Sequence, residues 1–258
     1  MSGAVRALLF KELREGRWKY LIAAVVLVAL GVSIPVTHQF IAGMLEQFMD
    51  DPAVPQALRD LLPPDLLEMS TYLWTNWHAK NLYQTVAVIA LVFGSGAVAG
   101  EFSRGTAPYL FSRAVVRRSV LAVKTAVDLA GMALAMLLGT AALDVTARIA
   151  HGYAVSGAFY AGLVPALAGS VFVYGLALLI STRIDDPVKA GVAAAVAAAL
   201  FSIPTFVPAW RQWSVYVQMT GRSLFETGTF PWLPVLVIAA LAAALLAAAA
   251  YSLERRDI

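Results

Sequence analysis

The sequence predicts an all-α membrane protein with six transmembrane helices and an amphipathic helix at its N-terminus. Three observations carry that prediction. Hydrophobic residues make up 60% of the chain and charged residues only 14%, well above the roughly 45–50% apolar share of soluble domains, and the mean hydropathy is +0.74. A core of 258 residues cannot hide that much apolar surface from water, so lipid must cover part of it. The apolar residues gather into six runs close to the ~20 residues a helix needs to cross the hydrocarbon layer. Finally, the runs are continuous and not alternating, which argues against a transmembrane barrel and for helices, which satisfy their own backbone in lipid.

Residues 1–19 are the first element. Val5, Leu8, Leu9 and Leu13 fall on one side at helical spacing, with Arg6, Lys11, Arg14, Glu15 and Arg17 around the other. This predicts a helix lying on the membrane face. Glu12 sits within the apolar arc, and two readings stay open. Either its carboxylate snorkels or pairs with Lys11 or Arg14, or it faces protein and meets an arginine of a later loop. Trp18 and Tyr20 mark the interface where the first span, residues 20–37, begins.

Residues 38–81 form an outer helical loop. Two short helical patterns, 40–49 and 56–62, are broken by Pro52, Pro55, Pro63 and Pro64. Its carboxylates, Glu46, Asp50, Asp51, Asp60, Asp65 and Glu68, do not have the spacing of a calcium loop, so the segment reads as a cap and not as a metal site. Tyr72, Trp74, Trp77 and Tyr83 read as an interfacial belt.

The second span, 82–100, ends GSGAVAG, and Gly94, Gly96 and Gly100 offer a small-residue face for close helix packing. The third, 119–143, carries Lys124 and then Asp128 about one turn inside. An intramembrane carboxylate is either a proton or cation relay or half of an ion pair, here with Lys124 four residues earlier. Asp144 and Arg148 form a similar pair farther along. The fourth span, 157–181, holds Gly162, Pro165, Gly169 and Gly175, which predicts a kink. The fifth, 188–206, is alanine-rich and suits burial among helices. After Pro204 and Pro208, the stretch AWRQWSVYVQM reads as interfacial or re-entrant, and the last span, 232–251, runs into a short basic tail.

Lysine and arginine set the orientation. Fourteen of them fall in the N-terminal segment, the loop after span two, the turn between spans four and five, and the tail, against five on the other side. Both termini and the loop 101–118 are therefore expected in the cytoplasm, with the chain in the plasma membrane. The same asymmetry accounts for the net charge of +3 without nucleic acid as a partner.

Several chemistries find no residues here. There is no cysteine and hence no thiol nucleophile or disulfide. The pattern G-x-x-x-x-G-K-[ST] does not occur, so the chain is not expected to cradle ATP. His38, His78 and His151 are far apart in sequence and read as interface residues, not zinc ligands. No catalytic constellation, metal site or bound cofactor is expected.

The loop opening the third span is the most specific stretch. It reads EFSRGTAPYLFSRAVVRRSVLAVK and resembles the membrane subunits of the ABC-2 family of ATP-binding-cassette transporters. The family pattern has a Glu closing span two, a Gly-Thr, a short Leu/Ser-rich helix, an Arg-bearing turn and a Lys opening span three. Those positions are Glu101, Gly105–Thr106, Leu110 to Ser112, Arg113 to Arg118, and Lys124. The opening LLFKELRE is similar to the family's elbow helix at Lys11 and Glu12, followed by Arg14, and the closing LERRDI to its charged tails. Ala114 stands where the family often has proline.

The resemblance implies a type V exporter-like arrangement forming a single domain over 1–258. It also implies that the chain is a permease whose short helix, 106–112, seats in a separate ATPase subunit. Glu101, Arg104, Tyr109, Arg113, Arg117 and Arg118 belong to that coupling loop, and Glu101 would pair with Arg104 or the elbow helix. Two ATPase copies carrying ATP and Mg, and a second permease copy, complete the assembly, with spans two and five candidates for lining the path between copies. Two other readings remain at this stage: a stand-alone proton- or cation-coupled transporter using Asp128, and a non-transporting membrane scaffold.

Overall fold

The computed structural model describes residues 3–59, 68–111 and 116–256. The first helix, α1 (Gly3–Asp50), contains both the amphipathic segment and the first span in one run of 48 residues, about 72 Å long at 1.5 Å per residue. The expected break at Tyr20 is not there. Gly16, the residue best suited to break the helix, is instead a notch for a ring: a Cβ built on it would lie 2.6 Å from the Tyr20 side chain. The outer loop is likewise mostly helix extension, since α1 continues to Asp50. Among the described residues, α2 (Gln56–Arg59) stands apart from that run, and residues 60–67, with Asp60 and Asp65, lie outside the described residues.

The chain resumes in α3 (Met69–Asn76), passes through a π-helical stretch at Trp77–Leu82, and continues as α4 (Tyr83–Ser103). The aromatic belt expected here is partly core. Trp77 is fully buried and Tyr72 nearly so, because the Trp77 indole N–H finds the Thr140 hydroxyl at 3.0 Å and no longer needs water. Trp74 stacks on Phe225 at 4.6 Å.

A short helix, α5 (Ala107–Phe111), precedes α6 (Arg117–His151). Helix α6 packs along α1, and the two come closest at a pair of glycines. A Cβ on Gly31 would lie 2.3 Å from the Gly139 carbonyl oxygen, and one on Gly139 would lie 2.9 Å from that of Leu27. Any side chain there would push the backbones apart.

The predicted kink in span four is a break at Gly162, between α7 (Gly157–Ala161) and α8 (Leu163–Ser181). Pro165 then falls in the first turn of α8, where its missing N–H costs nothing. Helices α4 and α8 form the centre of the bundle. Of the three glycines closing span two, only Gly94 makes a close approach, to Tyr174 and Ala177 of α8.

Helix α9 (Pro187–Leu200) starts on an Asp186 cap that accepts from the Val188 and Lys189 N–H groups, both at 2.8 Å, with proline in the first turn. It is less enclosed than its alanines suggested. Ala190, Ala194 and Ala198 are buried, while Val188, Val192, Val196 and Leu200 are exposed. After two 3-10 turns, α10 (Val215–Met219) packs on α8 and buries Val215 and Met219, the latter beside Gly169. Short α11 (Arg222–Thr227) leads to the last span, α12 (Trp232–Glu254).

Among the described residues, six helices are long and apolar enough to cross a membrane. The described N-terminal part of α1, the end of α4, the start of α6, the α8–α9 turn and the end of α12 meet at one end of the bundle, termed the basic end.

Candidate functional site

The connection after α4 is built from the helix's own unsatisfied carbonyls. Gly105 has φ +70°, the left-handed conformation that glycine adopts without steric cost. Its N–H bonds to the Phe102 carbonyl at 2.9 Å, and the Thr106 N–H reaches back to the Glu101 carbonyl at 2.9 Å. This is a Schellman termination. The Thr106 hydroxyl also donates to the Glu101 carboxylate. Thus the Glu…Gly-Thr spacing has a local cause: the turn needs Gly105, and Thr106 is placed to hold the Glu101 side chain.

Glu101 is 1% exposed and sits among groups from three helices. Lys124 of α6 lies 2.7 Å from it and 3.0 Å from Glu12 of α1. Lys11 reaches Glu12 at 3.3 Å, Glu15 at 3.0 Å and Glu101 at 3.5 Å, and Arg104 approaches Glu101 at 3.4 Å. Glu12 therefore pairs with Lys11, as the first reading of the sequence had it, and also faces protein, as the second had it, but its partner across the interface is Lys124 and not an arginine. Glu101 pairs both with Arg104 and with the N-terminal helix. Glu12, Glu15 and Glu101 also bring carboxylate oxygens within 4.8 Å of one another. The Lys11 ammonium touches all three, supplying the positive charge a metal ion would otherwise bring.

Asp128 does not pair with Lys124. Two carboxylates draw Lys124 toward the basic end, and α1 serves Asp128 instead. Lys19 lies 2.6 Å from it, the Tyr20 hydroxyl donates to it at 2.7 Å, and the Tyr174 hydroxyl of α8 does so at 3.2 Å. Tyr20 is held by glycines on two helices, Gly16 and Gly131. At the opposite end, Asp144 takes Arg148 through both oxygens, at 2.9 and 3.0 Å, together with the Val155 N–H and the Tyr160 hydroxyl.

On α5, Tyr109 is 75% exposed and Leu110 half-buried, while Ala107 is fully buried. The helix is Ala107–Phe111, beginning one residue later than expected, and Ser112 lies outside the described residues. Arg113 lies outside the described residues. Arg117 does not face outward with the loop. Its guanidinium donates to the carbonyls of Leu253, Glu254 and Arg256 at 3.2, 3.5 and 2.7 Å, and Arg118 bonds to the Glu254 carboxylate at 2.6 Å. The basic tail is therefore gripped, not free.

Two adjoining cavities open beside this cluster. One, of about 300 Å³, is lined by Glu12, Lys19, Gly96, Arg104, Lys124 and Asp128 among others. The other, of about 480 Å³, is apolar and lies between α1 and α4 against Ile22, Val26, Val88 and Val92. Lys19, Val92 and Phe93 line both. Gly96, which packs against no other helix, is a wall of the polar one.

The three histidines do not converge as a set. His38 and His151 meet with ring centroids 5.3 Å apart, and His151 Nε2 lies 2.7 Å from the Pro35 carbonyl. His78 is buried elsewhere, on the Phe159 carbonyl at 3.0 Å.

The family model described as ABC-2 family transporter protein matches residues 6–210. The chain belongs to the ABC-2 family. No curated protein matches it. The matched residues include both sides of the Glu12–Lys124–Glu101 cluster and stop short of α12. As an ABC-2 permease the chain is the non-catalytic, multi-pass membrane subunit of an ABC transporter, a kind of subunit that typically works with an ATPase partner.

Sequence reasoning placed Lys11, Glu12, Glu101, Thr106 and Lys124 at the site. It missed Lys19, Tyr20 and Tyr174 around Asp128, and Ser252 and Arg256 in the tail. A usable signal existed for Lys19 and Tyr20. They follow Glu12 and Gly16 at three- and four-residue steps, on the face that continues to Ala23 and Leu27.

Proposed function

We propose that this permease exports its substrate using ATP hydrolysed on a separate ATPase subunit, with α5 as the contact between them. The observation that carries this reading is the Glu101 cluster. A loop capped by Gly105 and Thr106 is fixed through one buried carboxylate to α1, α4 and α6 together. A push on α5 cannot move one of these helices without breaking a buried ion pair, which costs about 3–5 kcal/mol when one partner is lost. The exposed Tyr109 supplies the aromatic contact surface. In this reading the basic end is cytoplasmic, the membrane is the plasma membrane, two ATPases bind ATP and Mg, and a second permease copy covers the exposed face of α9.

Asp128 supports the structural reading over the relay. Lys19 and two tyrosine hydroxyls already satisfy it.

Because the chain has no native cysteine, a single Tyr109→Cys substitution tests the contact. In the complex purified with its ATPase, a short thiol crosslinker should join that position to the ATPase subunit. If no ATPase co-purifies, or if an impermeant reagent labels Tyr109→Cys from outside intact cells, the reading fails.

A further inference from the structure

The coupling loop has a second attachment that family membership does not assign. We infer that Arg117 and Arg256 carry movement of that loop to the last span and to the α8–α9 turn. They thereby join the second half of the bundle to the same ATPase-driven step. The inference rests on the coupling role proposed for α5.

The geometry is a chain of charge-assisted hydrogen bonds across helix ends. A helix leaves its last carbonyls without intrahelical donors and carries partial negative charge there. At the end of α12 these carbonyls converge on one cation, the guanidinium of Arg117, the first residue of α6. Arg118 adds the Glu254 side chain.

Arg117 thereby fixes the backbone of Arg256, and the Arg256 side chain continues the connection. Its guanidinium donates to the Thr182 carbonyl at the end of α8 at 2.7 Å, pairs with Asp185 in the α8–α9 turn, and lies 3.7 Å over the ring of Phe102. Phe102 follows Glu101 directly in α4. Ser252 completes the junction by accepting from Thr182 at 2.8 Å and Arg183 at 2.7 Å. Burial and the neighbouring Arg183 lower the pKa of Arg256 from its usual value.

Bonds of this kind weaken steeply once stretched or bent away from about 3 Å. The ends of α4, α6, α8 and α12 must therefore move together or release one another. Without Arg117, α12 would keep the exposed Arg118–Glu254 pair, the Arg256–Phe102 contact and its packing on α8, and a push on the loop would reach it only through these looser links.

Paired spin labels in the reconstituted permease–ATPase complex test this, using exposed positions in the cysteine-free chain. The pair Ser103→Cys and Tyr251→Cys spans the clamp. The pair Phe10→Cys and Ser103→Cys spans only the Glu12–Glu101 cluster. Both distances should be the same without nucleotide and with trapped ATP.

In Arg117→Gln, the Ser103–Tyr251 distance should become nucleotide-dependent while the Phe10–Ser103 distance does not. Arg117→Lys, which keeps the charge, should restore part of the invariance. Arg256→Gln is a milder second variant and should free the turn at Val188→Cys relative to Ser103→Cys. If both variants keep every distance invariant, or if the wild-type Ser103–Tyr251 distance itself changes with nucleotide, the clamp does not transmit. Failure of Tyr109→Cys to crosslink to the ATPase would instead remove the coupling reading beneath it.

Discussion

Lys124 on α6 and Glu101 on α4 meet at 2.7 Å in a site where both side chains are almost wholly enclosed. Their surroundings explain why so costly a pair is tolerated. Glu12 gives Lys124 a second acceptor, and Thr106 and Arg104 give Glu101 further donors. A buried pair of this kind adds little net stability, but it is strongly destabilised when one charge is left alone.

Removing the carboxylate should therefore do more harm than its exposed neighbour Arg104 would suggest. Glu101→Gln is expected to destabilise the detergent-solubilised permease by about 3 kcal/mol, and Glu101→Lys by more, because it adds a fourth cation beside Lys11, Arg104 and Lys124. Thermal unfolding followed by size-exclusion chromatography measures this. Unchanged melting with intact ATPase binding would remove Glu101 from the centre of the cluster.

Gly105 should tolerate substitution only at a conformational cost. No atom lies within 4 Å of a Cβ built there, so Gly105→Ala meets no clash and should cost about 1–2 kcal/mol from its left-handed backbone alone. Gly105→Asn should cost less, since asparagine visits that region more readily. Comparing hydrogen exchange of the Glu101–Thr106 turn in the two variants separates this from a steric effect.

Asp128→Asn leaves the Lys19 ammonium beside a neutral group. If the carboxylate is structural, the single variant should lose stability and the double variant Asp128→Asn/Lys19→Gln should recover much of it, the signature of coupled sites. Transport that stays abolished in a stable double variant would instead favour the relay.

The crossing of α1 and α6 should be the least forgiving place for added bulk. Gly31→Leu or Gly139→Val drives a side chain into backbone and should abolish recovery of monodisperse protein. Gly96→Ala, with nothing within 4 Å of its built Cβ, should leave the fold intact. Fluorescence-detected chromatography of the three variants distinguishes these outcomes.

The residues themselves were largely legible in the sequence, and their partners were not. Apolar runs reveal spans because lipid acts on composition, and the Glu–Gly-Thr spacing is legible because a helix termination is local. The Lys124–Asp128 pairing was also inferred locally, from a four-residue step, and there it failed. Lys124 had two carboxylates available on other helices, which spacing within α6 cannot show. The boundary expected at Tyr20 failed for a related reason. Composition changes there from amphipathic to apolar, yet Leu8, Glu12, Gly16, Ala23, Leu27 and Gly31 form one buried stripe running through it. The periodicity was a better guide than the polarity. Arg256 was beyond reach, since nothing near a chain end announces which helices it will touch.

Gly31, where α1 crosses α6, lies midway between Glu12 and Asp50, nineteen residues or about 28 Å from each. Pro35 leaves the Gly31 carbonyl without its helical donor, which weakens the helix one turn beyond this contact. A tilt about it displaces the two arms by equal amounts in opposite senses, less whatever the bend absorbs. In the proposed coupling, the arm of α1 that carries Glu12 and the arm that ends at Asp50 would then move in opposite senses.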